Sequence, residues 1–286
     1  MFPNQFDYHR PGSVQEAISL LKANPDAKIL AGGHSLLPAM KLRLASPAAL
    51  VDLGAIDSLN GISINGGVTI GAMTTYAQLR DSKELASRLP MVPETANNVG
   101  DPQVQNKGTL GGSLAHSDPA ADFTAVMLAL GAAVKAVGPN GERTIAADDL
   151  FVDLLTTALA ADEVLTEISI PAAQGKVGMA YEKFRHPASG YAVVGVAAVV
   201  PVDGQGNATS PRIAVTGATS KATRATATEQ ALAGKPLTSA NIAAAAQAVT
   251  NGLDLNGDYF ASAEFRAHLL QVYAQRALER AAAQVK

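Results

Sequence analysis

The sequence predicts an α+β protein in three consecutive parts. These are an N-terminal α/β unit over residues 1–55, a mixed α+β unit over 56–176, and an antiparallel sheet with helices over 177–286. Three observations predict it. Up to Ala55, short apolar runs alternate with helical patterns, the signature of a small parallel sheet. Beyond Ala55, alternating strands flank tight turns such as Asn65-Gly66 and Pro139-Asn140-Gly141. Beyond Gly175, strand patterns come first and helical patterns last.

Taken in order, Ser13-Val14-Gln15-Glu16 reads as a capping box. Val14, Ala17, Ile18 and Leu21 then fall on one helical face, and Asn24-Pro25 stops that helix. A strand Lys28–Ala31 runs into Gly32-Gly33, and a short helix follows over Leu36–Leu42. Leu50–Leu53 reads as a second buried strand. The alternation of Ile62–Ile64 and Val68–Ile70 about Asn65-Gly66 predicts a hairpin, followed by helices near Thr75–Asp81 and Leu85–Val99. A second glycine pair, Gly111-Gly112, is expected at another strand–turn–helix junction, with a helix over Ala121–Leu130 after it. A hairpin (Ala133–Val137 with Arg143–Ile145) and a strand Glu163–Ile170 close the middle unit. Strands Gly178–Phe184, Tyr191–Val200 and Pro211–Thr216 form the last sheet. Helices over Ala222–Ala233, Ser239–Thr250 and Glu264–Gln284 end the chain.

Composition removes several function classes. A formal net charge of −3 with scattered Lys and Arg argues against a nucleic-acid surface. No apolar run approaches the roughly 18 residues that span a bilayer, and the first residues lack a signal-peptide pattern. The expectation is a cytoplasmic protein, with room for peripheral contact at the inner face of the membrane. There are no cysteines among the 286 residues. Disulfides, thiolate zinc sites and Cys-ligated iron–sulfur clusters therefore cannot be built on this chain. The five histidines are dispersed, so the expectation is no metal site here.

The two glycine pairs carry the chemistry. Gly32 and Gly33, with no Cβ, let the backbone approach a ligand, and the amides of His34 and Ser35 would point outward. That arrangement holds an anion, usually a phosphate. Either pair alone reads equally well as a plain tight turn. Neither is followed by Gly-Lys-Ser/Thr, and neither makes G-x-G-x-x-G. Together they suit a ligand with two phosphates. Asp122 is either a helix cap or a carboxylate for a sugar or adenine edge. Lys183 is a solvated strand charge or a cation facing a bound anion. Tyr191 is strand packing or a ring stacked on a planar cofactor. His34 and His116 are polar neighbours of the turns rather than general bases. No nucleophile or paired-carboxylate arrangement is present, so the residues alone give a diphosphate-containing nucleotide bound across two subdomains.

These motifs resemble the FAD-binding medium subunit of molybdenum hydroxylases. Ala31-Gly32-Gly33-His34-Ser35-Leu36-Leu37-Pro38 with Met40–Leu44, Asn106-Lys107-Gly108-Thr109-Leu110-Gly111-Gly112-Ser113, and Asp118-Pro119-Ala120-Ala121-Asp122 carry the resemblance. It extends from Phe6–Pro11 through Tyr181–Val200 to Gly257–Arg266. The implied fold is the two-subdomain FAD-binding domain of vanillyl-alcohol-oxidase-like flavoproteins, followed by the C-terminal domain of the carbon monoxide dehydrogenase flavoprotein. The resemblance implies non-covalent FAD. Leu30, Ala31, Gly32, Gly33, His34, Ser35, Leu36 and Leu37 would wrap its pyrophosphate. Gly108, Thr109, Leu110, Gly111 and Gly112 would form a second clamp. It further places Asp122 at the ribose, Leu165 beside the adenine, and Lys183 and Tyr191 at the polar edge and face of the isoalloxazine. The family commonly has an acidic residue before that tyrosine, where this chain has Gly190.

The resemblance also implies partners. A large subunit would carry the molybdopterin cofactor and a small one the [2Fe–2S] clusters, in a dimer of heterotrimers. This chain would pass their electrons to an external acceptor, with no catalytic side chain of its own. The alternatives are a self-sufficient flavin oxidase or dehydrogenase of the same fold, with FAD attached through the histidine of Gly-Gly-His in some, or a nucleotide-binding protein without a redox role.

Overall fold

The computed structural model describes residues 2–285. Its first unit is a three-stranded parallel sheet of β1 (Asp7–His9), β2 (Ala27–Leu30) and β3 (Ala49–Asp52), with β3 in the middle. The helix Val14–Ala23 covers it with Ala17, Ile18 and Leu21. Ser13 caps that helix by accepting from the Glu16 N–H. The Glu16 carboxylate accepts from Gly12 N–H instead of Ser13 N–H, so half of the expected box forms.

The middle unit contains β4 (Ile62–Ile64), β5 (Val68–Gly71), β6 (Ala133–Gly138), β7 (Gly141–Ala146), the small pair β8 (Phe151–Asp153) and β9 (Thr156–Thr157), and β10 (Val164–Ile170). The five-stranded antiparallel sheet has the order β4-β5-β10-β6-β7. Ile168 of β10 lies opposite Ile70 on one side and Val134 on the other, all three buried. The expected helix over Leu85–Val99 is two helices, Lys83–Arg88 and Met91–Asn98. Pro90, which has no N–H to continue the first, begins the second. A further helix, Pro102–Lys107, is capped by the Asp101 carboxylate. The second glycine pair therefore follows a helix, not a strand, and sits inside the first turn of the helix Leu110–His116.

The last unit is a four-stranded antiparallel sheet of β11 (Lys176–Arg185), β12 (Ala192–Val202), β13 (Arg212–Thr216) and β14 (Thr223–Arg224), in that order. The 21-residue helix Ala263–Ala283 lies against β11 and β12. On the other side, the helix Asp122–Ala129 packs on β12 and β13. Every residue of that helix is buried, because it is enclosed between the middle and last units. No helix among the described residues is long and apolar enough to cross a membrane.

Candidate functional site

β2 ends at Leu30, and the chain turns through Ala31–Ser35 before the helix Leu36–Lys41. Gly33 takes φ +75°, a left-handed conformation that favours glycine. The amide N–H groups of Gly32, Gly33, His34, Ser35 and Leu36 donate to no acceptor among the described residues. The series closes at Leu37, whose N–H donates to the Gly33 carbonyl at 3.0 Å. Such a row of unengaged amides is a cradle for an anion.

The second glycine pair is built differently. Leu110 N–H donates to Thr74 O at 3.0 Å and Gly111 N–H to Ala72 O at 2.9 Å. Gly112 N–H donates to the Thr109 hydroxyl and Ser113 N–H to Thr109 O. The backbone N–H of Thr109 alone in this stretch is left without an acceptor among the described residues. Gly111 is glycine because a Cβ there would stand 2.5 Å from the Ala72 Cβ and 2.7 Å from its carbonyl oxygen. The two turns touch. A Cβ on Gly32 would run into the Lys107 carbonyl oxygen and stand 2.8 Å from Gly108 Cα, and one on Gly112 would stand 3.3 Å from Ala31 Cβ.

Between and beyond the turns opens a cleft of about 610 Å³, within the roughly 300–1,000 Å³ range of small-molecule sites. Ala31, Gly32, Gly33, His34, Ser35 and Leu36 line it, as do Gly108, Thr109, Gly111 and Gly112. Asp122, Leu165 and Tyr191 line it too. Four expected site residues do not. Leu30 and Leu37 press on Gly33 from behind, their Cδ1 atoms 3.2 and 2.9 Å from where its Cβ would be. Leu110 is fully buried in the core. Lys183 lies behind Asp122 rather than at the cleft surface.

Asp122 is the hinge of this arrangement. One carboxylate oxygen accepts from the Tyr181 hydroxyl at 2.5 Å, the other from Lys183 Nζ at 2.9 Å. Lys183 Nζ also donates to Asn98 O. Burial pushes the Asp122 carboxyl above the ordinary carboxylate range, with Lys183 and Tyr181 pulling the other way. Burial also pushes the Tyr181 phenol well up, reinforced by the Asp122 charge. Asp122 begins its helix, but Ala121 occupies the cap position, so capping is not its role.

Tyr191 is half-exposed and comes from the loop between β11 and β12, which crosses to the first turn. Burial and the Asp118 carboxylate push its phenol up, and the neighbouring Ser35 hydroxyl pulls it back. Gly190 (φ +75°) shapes that loop, since a Cβ there would strike the Arg185 guanidinium. Arg185 in turn donates to Gly100 O at 2.8 Å.

The cleft also contains residues that no local motif singles out. Tyr76 lies on its floor, stacked on Phe123 with centroids 5.4 Å apart. Leu155 and Leu159 join Leu165 in an apolar wall. Leu155 holds φ +52°, an unusual conformation for a branched side chain and one that no turn motif in the sequence announces.

The free amide row, the contact between the turns, and an apolar wall beside aromatic rings fit a dinucleotide with a diphosphate centre. Comparison with known proteins agrees. A family described as the FAD binding domain in molybdopterin dehydrogenase matches residues 4–173, and one described as the CO dehydrogenase flavoprotein C-terminal domain matches residues 179–281. The carbon monoxide dehydrogenase medium chain of Hydrogenophaga pseudoflava is 40% identical over 98% of both chains. The alpha subunit of the 6-hydroxypseudooxynicotine dehydrogenase complex of Paenarthrobacter nicotinovorans is 38% identical over 98% of this chain and 96% of its own. A solved structure of the Hydrogenophaga pseudoflava carbon monoxide dehydrogenase lacking the Mo-pyranopterin moiety superposes with a TM-score of 0.96, at 41% identity and full coverage of both chains. This chain therefore belongs to the FAD-binding medium subunits of the molybdenum hydroxylases.

Proposed function

We propose that this chain is the electron-transfer subunit of a three-component molybdenum hydroxylase. It takes electrons from the [2Fe–2S] clusters of a small partner subunit, fed by the molybdenum site of a large one, and delivers them to an external acceptor. A dimer of such heterotrimers, working in the cytoplasm with at most peripheral membrane contact, is the assembly we infer. The observation that carries the reading is the row of unengaged amides from Gly32 to Leu36. The absence of cysteine supports it, since the clusters need thiolates that must come from another chain.

In this reading the Gly32–Leu36 amides, with the Thr109 hydroxyl and N–H, hold the FAD diphosphate. Leu155, Leu159 and Leu165 cover the adenine. Asp122 meets the ribose with lone pairs that Tyr181 and Lys183 leave open, a carboxylate having about four acceptor sites. Tyr191 covers a face of the ring system, and Lys183 acts through Asp122. The bound flavin supplies redox chemistry that joins one-electron clusters to an acceptor, and the protein supplies binding and orientation.

The test is to mix the reduced small subunit with the FAD-loaded chain and follow flavin absorbance. Bleaching is expected; an unchanged spectrum would remove the electron path. Denaturation should release the flavin from the chain. Colour that stays with the polypeptide would instead mean attachment through His34.

A further inference from the structure

No carboxylate lies between Asp26 and Asp52, on a chain whose formal net charge is −3. Three cations lie there: Lys28, Lys41 and Arg43. Lys28 lines the cleft; Lys41 and Arg43 do not. Neither Lys41 nor Arg43 makes a side-chain hydrogen bond or ion pair among the described residues. They end the helix that starts at the first turn, roughly 9 Å along its axis at 1.5 Å per residue.

The backbone there is unusual. Leu42 caps the helix and Arg43 follows at φ +61°. Glycine most often fills that position, because a side chain is strained there. Arg43 N–H donates to Met40 O and Leu44 N–H to Ala39 O, which fixes the turn. Leu42 and Leu44 are left 59% and 79% exposed on either side of the arginine. The N-terminal segment runs alongside, with Asn4 Nδ2 donating to Ser46 Oγ at 2.9 Å and Phe2 87% exposed. Single exposed leucines are ordinary. Two exposed leucines flanking an arginine and next to an unpaired lysine, on a strained turn, serve neither core nor cleft.

We propose that the Lys41–Leu44 tip is the docking face for the cluster-bearing small subunit, which meets it with an apolar patch ringed by carboxylates. The proposal rests on the electron path given above. Electron transfer weakens exponentially with distance, so the cluster carrier must sit close to the cleft. The tip is joined by one short helix to the turn that lines it. An apolar centre with a charged rim is the usual anatomy of such an interface, and opposite charge on the partner speeds its approach.

The test uses the co-expressed three-subunit assembly with wild-type chain, the double variant Lys41→Glu/Arg43→Glu, and Leu44→Asp. FAD content, association with the purified small subunit over a range of salt, and flavin bleaching are measured. Both variants should keep FAD and their thermal midpoint but bind the small subunit at least about tenfold more weakly, with the double variant losing the salt dependence of the wild type. Unchanged affinity and salt dependence in both variants overturns the docking face. So does loss of the large subunit alone, loss of FAD with normal small-subunit binding, or a change only in the chain's own oligomeric state. If wild-type flavin is not reduced by the small subunit, the electron path itself falls, whatever the variants do.

Discussion

The two Gly-Gly pairs look interchangeable in the sequence and are not interchangeable in the molecule. At Gly32-Gly33 the glycines free a run of amides that donate to nothing among the described residues, and Gly33 supplies a left-handed turn. At Gly111-Gly112 the amides are already engaged, by Ala72 O and the Thr109 hydroxyl, and Gly111 is there so that a helix can lie on Ala72. In the proposed reading the first pair is a ligand surface. The second is a joint that fixes the first through Gly32 on Lys107–Gly108. A glycine pair reports that backbone must come close to something, and only the fold says whether that is a ligand or another strand of chain.

Four measurements test this contrast, in order of expected size. The largest effect is expected where the joint continues into Asp122. Asp122→Ala leaves the Lys183 ammonium buried without its counter-charge, which should cost about 3–5 kcal/mol in chemical denaturation. FAD affinity should fall as well, since Asp122 faces the ribose in the proposed reading; a stability loss under about 1 kcal/mol would mean that the Asp122–Lys183 pair does not hold this side together.

Next, Gly111→Ala forces a methyl into Ala72 and should cost about 1–3 kcal/mol in thermal or denaturant unfolding. The FAD affinity of the molecules that remain folded should barely change. Gly33→Ala should show the reverse balance. It places a side chain at positive φ for about 1–2 kcal/mol, and its main effect should be on FAD titration, because it turns the free amides. Equal patterns in the two variants would mean that the turns share one role.

The smallest effect concerns acid stability at the far end of the cleft, where Glu163 lines the wall. The Arg143 guanidinium, by a hydrogen bond at 2.7 Å, holds the Glu163 carboxyl below its ordinary value of 4.5. A carboxyl held low in the folded state adds stability above its unfolded value and loses it as pH falls through the folded one. Arg143→Met should remove that acid-side slope, by less than about 1 kcal/mol because the arginine is half-exposed. A slope between pH 5 and 3 identical to wild type would show that the pair does not contribute.

The elements that local chemistry defines were legible. The Asn65-Gly66 hairpin, the capped helix at Ser13 and the amphipathic pattern that seats Ala17, Ile18 and Leu21 are all present. The helix Pro102–Lys107 had a signal, Asp101 before Pro102, that the glycine motif nearby overshadowed. What stayed hidden is non-local. Nothing near Gly111 in sequence says that Ala72 and Thr74 will take its helix's amides. Nothing near Lys183 says that it will be covered by Asp122, more than sixty residues away. Tyr76 and Leu155 reach the cleft only because distant segments carry them there.

The crossing of the cleft by Tyr191 has a kinetic consequence. Its ring comes from the loop that joins β11 to β12 and meets the Ser35 turn of the first unit. In the proposed reading, a dinucleotide held beneath this ring would leave when the two units part. Residence time should then follow the opening frequency of the protein and be insensitive to competing FAD in solution. Changes at the seam should appear as altered dissociation rates with association rates nearly fixed. Slow amide exchange around β12, matched to the lifetime of the bound flavin, would be the signature of that lock.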